Sequence, residues 1–154
     1  MIELAHHAAL IANQFILISQ QLTAINPAAI DRADATDTLI RMSELASAQL
    51  RKAAGAFRTR DLAAARELDA DDDILDRLNR DLCDRTVQLD VPAVERELAL
   101  RYILVGRSLE RIGDNAVDIA EQAEFLITAE LRQYSDASQP RRRSIRQRRE
   151  TSAE

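Results

Sequence analysis

Glu110 and Asp114 stand one helical turn apart in the run Leu109-Glu110-Arg111-Ile112-Gly113-Asp114-Asn115-Ala116-Val117-Asp118-Ile119-Ala120-Glu121, and Asp118 follows a turn later. Residues at i and i+4 share a helix face, so exposed carboxylates at this spacing repel by a few tenths of a kcal/mol per pair. Gly113 adds a helix-propensity cost of up to about 1 kcal/mol relative to alanine. A helix that only had to pack could avoid both costs. A cation between the carboxylates turns repulsion into attraction, and the missing side chain at Gly113 leaves room for a close neighbour. The chemistry indicated is metal binding on a helical scaffold. There is no Gly-rich phosphate loop, serine nucleophile elbow or zinc-finger spacing, and Cys83 reads as a small core thiol, so the chain reads as a non-enzyme.

A second acidic group comprises Asp69, Asp71, Asp72, Asp73 and Asp76, with Asp72 and Asp76 again at i and i+4. Two antiparallel helices presenting such pairs at one level can hold hard or borderline cations through oxygen ligands. The plainer alternative is a solvated acidic face, since Glu67–Asp71 and Asp69–Asp73 show that such pairs recur here.

The elements that must position these acids are helices. With three Gly, three Pro and no Trp in 154 residues, the composition favours long helices in a single domain with a real core. Helix one is expected from about Ile2 to Leu22, ending before Ile25-Asn26-Pro27. Helix two starts near Asp31 or Asp34 and carries Leu39, Met42, Ala46, Leu50, Ala53 and Phe57 at helical spacing. Asp61 caps helix three, whose stripe is Ala64, Leu68, Leu75, Leu78, Leu82 and Leu89. Asp90-Val91-Pro92 reads as a cap with proline in the first turn of helix four, which runs to about Leu131. There Leu98, Tyr102, Val105, Leu109, Ile112, Ala116, Ile119, Ala123 and Leu126 form a bundle seam. Glu110, Asp114 and Glu121 fall on the other side of that wheel, beside Ile103, Val117 and Phe125.

The net charge of −5 is uneven: residues 135–154 carry +3 and the rest −8. The acidic part would repel nucleic acid and attract cations or basic surfaces. The arginine-rich end, Gln139-Pro140-Arg141-Arg142-Arg143-Ser144 onward, reads as a disordered docking or solubilising tail, and no specific nucleic-acid binding is expected. The longest apolar run, Phe15-Ile16-Leu17-Ile18, is too short to span a bilayer, and no secretory leader is evident, which makes the cytoplasm the expected compartment. A faint repeat lays Ala8, Ile11, Ala12 and Gln14 over Ala116, Ile119, Ala120 and Gln122 at a shift of 108 residues, with His6-His7 over Asp114-Asn115.

Together the run at 109–121, the motif Asp72-Asp73-Ile74-Leu75-Asp76-Arg77-Leu78 and the helix pattern resemble the PhoU family of phosphate-uptake and phosphate-signalling regulators. That resemblance implies an all-α fold: an antiparallel three-helix bundle over 28–134, an N-terminal helix over 1–24 left from a first repeat, and the tail 135–154. Asp72, Asp76, Glu110 and Asp114 would be the metal ligands, for iron, zinc, manganese or magnesium, with Asp118 and Glu121 secondary. Expected partners are the ATPase subunit of a phosphate ABC transporter and a phosphate-sensing histidine kinase, with membrane contact through them only. Family members usually contain two repeats. Here the first is represented by helix one, where the shifted register puts Ile2 and His6 at the positions of Glu110 and Asp114, and a register one residue away offers Glu3 and His7. The chain would then be a shortened relative, or one whose start lies further upstream. Asn115 stands where many members have histidine. A missing half bundle leaves apolar faces to cover, so a homodimer is expected. Two other readings are a metal-free docking scaffold and a di-metal carboxylate enzyme built on Glu3-Leu4-Ala5-His6, whose second copy is lacking.

Overall fold

Few helix breakers and abundant Ala, Leu, Arg and Glu leave the backbone little alternative to helix between the prolines. The computed structural model describes residues 2–25, 33–88 and 92–129, and within these it has four helices: α1 (Ile2–Thr23), α2 (Ala33–Thr59), α3 (Leu62–Val87) and α4 (Ala93–Thr128). The all-α bundle with a fourth helix alongside is therefore what the chain forms. Asp31, Leu89, Asp90, Leu131 and the tail 135–154 lie outside the described residues.

Local chemistry sets the turns. Asp61 accepts a hydrogen bond from the Ala64 N–H at 3.0 Å, capping α3 as its position suggests. Just before it, Arg60 takes a left-handed conformation (φ 54°), and the Asp61 N–H closes back on the Ala56 carbonyl, ending α2 sharply. Two expectations shift by a step. Asp34 lies inside the first turn of α2, and Pro92 occupies the cap position of α4 instead of its first turn. Proline suits either place because it has no N–H to satisfy.

The central element is α4, which packs on all three other helices. It runs antiparallel to α3, where Arg66 meets Glu124, and parallel to α2, where Thr36 meets Tyr102. Against α1 it is antiparallel: His7 meets Asn115 and Gln21 meets Arg101. His7 and Asn115 are the residues superposed by the 108-residue shift, and they meet where α1 packs on α4. Met42, Leu68, Leu75, Leu82 and Ile112 are fully buried, each stabilising the core by about 1.5–3 kcal/mol. Buried alanines at 46, 53, 56, 65, 116, 120 and 123 let the axes approach. Of the expected α4 seam, Leu126 is exposed, because it lies in the last turn of the helix.

One ion pair pins the far end of the bundle. The Glu124 side chain is 1 % exposed, and Arg66 donates to its Oε1 through Nε and a terminal nitrogen at 2.9 and 2.7 Å. Hydrogen bonds to a charged group contribute about 1.5–3 kcal/mol. Arg66→Ala should cost about that much in urea unfolding, while Ala at exposed Arg77 changes stability by less than about 0.5 kcal/mol. Equal effects would show that the pair adds nothing.

Candidate metal centre

Strict three–four spacing governs which polar groups enter the interface. In α3 the buried line is Ala65, Leu68, Leu75, Asp76, Asn79 and Leu82, with Asp72 half-buried beside it, so the two acids and Asn79 are set among leucines. In α4 the facing positions seven residues apart are Gly106 and Gly113. A Cβ at Gly113 would stand 2.6 Å from Leu75 Cδ2, 2.7 Å from Gln49 Oε1 and 2.9 Å from Asp72 Oδ1. At Gly106 it would stand 2.8 Å from Leu82 Cδ2 and 3.1 Å from Asn79 Oδ1. Each glycine is a notch that admits a polar side chain, so the propensity cost of Gly113 follows from close packing. Gly55, by contrast, has nothing within 4 Å of its Cβ position.

Three of the four expected ligands converge: Asp72, Asp76 and Asp114 each bring one carboxylate oxygen within 4.8 Å of the others. Glu110 is outside that set but adjoins it, buried to 8 % exposure on the turn of α4 before Asp114. Its Oε1 accepts from Arg107, while its Oε2 is buried without a hydrogen-bond partner. Asp72 Oδ1 is likewise buried and unpartnered. Arg80 reaches Asp76 at 3.5 Å.

The electrostatics follow from this crowding. Burial, then the neighbouring charges of Asp114, Asp76 and Glu110, pushes Asp72 up to about 7. Burial and Asp114 push Glu110 up to about 7 against the opposing pull of Arg107. A set of oxygen donors held between two helices, Asp72 and Glu110 among them with raised proton affinity, suits a hard or borderline cation. The orphaned oxygens of Asp72 and Glu110 fit that group.

The other acid pairs of α3 show the contrast. Lys52 of α2 sits between Glu67 and Asp71 at 2.8 and 2.9 Å, so that pair already has its cation, and these partners raise the lysine's proton affinity. Asp118, a secondary candidate, lies 3.5 Å from His7 instead of joining the cluster, and burial raises its carboxyl. Glu121, the other secondary candidate, lies half-buried two turns beyond Asp114. His7 donates from Nδ1 to Asn115 Oδ1 at 3.1 Å, since the Asn115 amide nitrogen is committed to the Arg111 carbonyl. Cys83 is partly buried, and burial raises its thiol. Sequence reading passed over Gln49, Asn79 and Glu124. The signal was available for the first two, because the spacing 39, 42, 46, 49, 53, 56 puts Gln49 in the α2 seam, where Leu50 and Phe57 were expected.

A family model described as "PhoU domain" matches residues 39–123. A curated relative, the phosphate-specific transport system accessory protein PhoU homolog 1 of Methanothermobacter thermautotrophicus, is 35% identical over 99 residues, covering 61% of this chain and 43% of the relative. The chain thus matches less than half of that relative's length. No solved structure matches significantly.

Carboxyls raised in the folded state bind protons that the unfolded chain has already released. Between about pH 4 and pH 7 the folded state therefore holds more protons, and stability falls as pH rises through that window. In chelator, the melting temperature should drop from about pH 5 to about pH 8. Glu110→Gln and Asp72→Asn should flatten the slope. A melting temperature that climbs over this range would contradict the burial of these charges.

Proposed function

This chain belongs to the PhoU family, and we propose that it is a metal-binding, non-enzymatic regulator of phosphate uptake and phosphate-starvation signalling. The observation that carries the metal part of this reading is the convergence of Asp72, Asp76 and Asp114 with the unpartnered oxygens of Asp72 and Glu110. The phosphate part is supported by the family and by the name of the matched relative, an accessory protein of phosphate-specific transport.

Asp72 and Asp76 from α3, with Glu110 and Asp114 from α4, would hold the cation, iron, zinc, manganese or magnesium. When bound, it supplies positive charge that offsets their mutual repulsion. The carboxylates must shed protons to ligate, so uptake is coupled to proton release and favoured above about pH 7. Held this way, α3 and α4 keep one relative position and present a fixed acidic surface for docking. We take the partners to be the ATPase subunit of a phosphate transporter and a membrane sensor kinase. Among the described residues no helix is long and apolar enough to cross a membrane, in keeping with membrane contact through partners. The outer face of α1 leaves Phe15, Ile16 and Leu22 half exposed, which supports self-association as a homodimer.

One observation favours a metal-free docking scaffold instead: Arg107 and Arg80 already pair with Glu110 and Asp76. These are single contacts from arginines that are themselves more than half exposed, 59% and 54%, so they offset the buried charge weakly. Elemental analysis separates the two. Protein supplied with iron, zinc and manganese should retain stoichiometric metal, and the Glu110→Ala/Asp114→Ala variant should lose it with unchanged helicity. Equal metal content in both would remove the ligand assignment, and metal-free samples throughout would leave the scaffold.

A further inference from the structure

Gln49 lies in the α2 seam between Ala46 and Ala53 and is 2 % exposed, yet neither its amide oxygen nor its amide nitrogen has a hydrogen-bond partner. A buried, unsatisfied polar group costs about 1–3 kcal/mol, and a leucine at this position would avoid it. Among the described residues, the buried side-chain atoms left without partners are the two of Gln49, Asp72 Oδ1 and Glu110 Oε2. They belong to one neighbourhood. Gln49 Oε1 and Asp72 Oδ1 border the same notch at Gly113, 2.7 and 2.9 Å from its Cβ position, and Glu110 lies one turn earlier on α4.

We propose that Gln49 brings a third helix into the metal centre, its amide oxygen giving a neutral donor beside the carboxylates of Asp72, Asp76 and Asp114. This rests on the metal reading above. Two oxygens facing one notch do not attract each other, whereas a cation satisfies both. Three carboxylates already exceed the charge of a divalent ion, so a further donor is best neutral. A carbonyl-type oxygen raises the coordination number without adding repulsion, as in many hard-cation sites. The donor set is then entirely oxygen, which favours manganese, magnesium or ferric iron over zinc. Gly113 has a specific part: any side chain there would occupy the space through which α2 reaches the α3 acids. The rival arrangement turns the amide so that its nitrogen donates to Asp72, which makes Gln49 a structural partner only.

Manganese(II) titration of the full chain, read by the paramagnetic resonance of free ion and by thermal unfolding, distinguishes them. Gln49→Leu should melt at or above the wild-type temperature in chelator, because two unsatisfied atoms are gone. It should bind manganese at least about tenfold more weakly. Gln49→Glu keeps an oxygen and should retain binding, while melting lower than wild type in chelator because a further carboxylate is buried. Should Gln49→Leu fail to fold, loss of binding in a folded Gln49→Glu overturns the proposal. Gln49→Leu that melts lower in chelator and binds manganese as wild type does also overturns it, in favour of the structural hydrogen bond. Wild-type protein that takes up no manganese here, and no iron or zinc in the elemental analysis, removes the metal reading and this inference together, whereas normal wild-type binding with an unaffected Gln49→Leu removes this inference alone.

Discussion

Negative charge held between α3 and α4 is the constraint on which the rest of this molecule turns. Carboxylates resist burial because leaving water costs far more than an ordinary hydrogen bond returns. Here Asp72 and Asp76 are drawn in by the leucines that flank them, Leu68, Leu75 and Leu82, which are buried against α4. The glycines of α4 make the approach possible, and Ala116, Ala120 and Ala123 keep the helices close beyond it. The result is a well-packed interface with an electrostatic debt at one level. Raised proton affinity settles that debt in acid, and a cation would settle it near neutrality and above.

The same logic explains why α4 is central. It carries two inward stripes, one apolar along Leu98, Tyr102, Val105, Leu109 and Ile112, and one of small and acidic residues along Gly106, Glu110, Gly113, Ala120 and Glu124. A helix with two such stripes needs neighbours on more than one side, and α1, α2 and α3 provide them. α1 runs antiparallel to α4, with His7 meeting Asn115, and it contacts α4 almost alone. Its opposite face shows the consequence, with Phe15 and Ile16 more than half exposed at 52% and 55%. A face of that kind seeks cover because apolar area in water is costly, at roughly 25 cal/mol per Å².

Much of this was legible in the residues. The four helices and the Asp61 cap follow from periodicity and capping chemistry, whereas the grouping of Asp72, Asp76 and Asp114 was implied by the family resemblance and not by carboxylate spacing alone. What escaped has physical reasons. Gln49 and Asn79 sit at seam positions, but a polar residue in an apolar stripe looks like a flaw in the stripe until its neighbour is seen to be a glycine. Lys52 cannot be matched to Glu67 and Asp71 without knowing how α2 and α3 are rotated about their axes. Glu124 gave no hint of burial because its partner, Arg66, lies 58 residues away. Pairings across the bundle depend on helix rotation and stagger, which composition and spacing leave open.

The central claim is that these clustered carboxylates form a metal centre and not merely an acidic seam. Anomalous diffraction at the manganese edge, from crystals grown with manganese(II), tests it most directly. The account predicts a peak bounded by the carboxylates of Asp72, Asp76 and Asp114. No peak between them, with Arg80 and Arg107 still on Asp76 and Glu110, would contradict it.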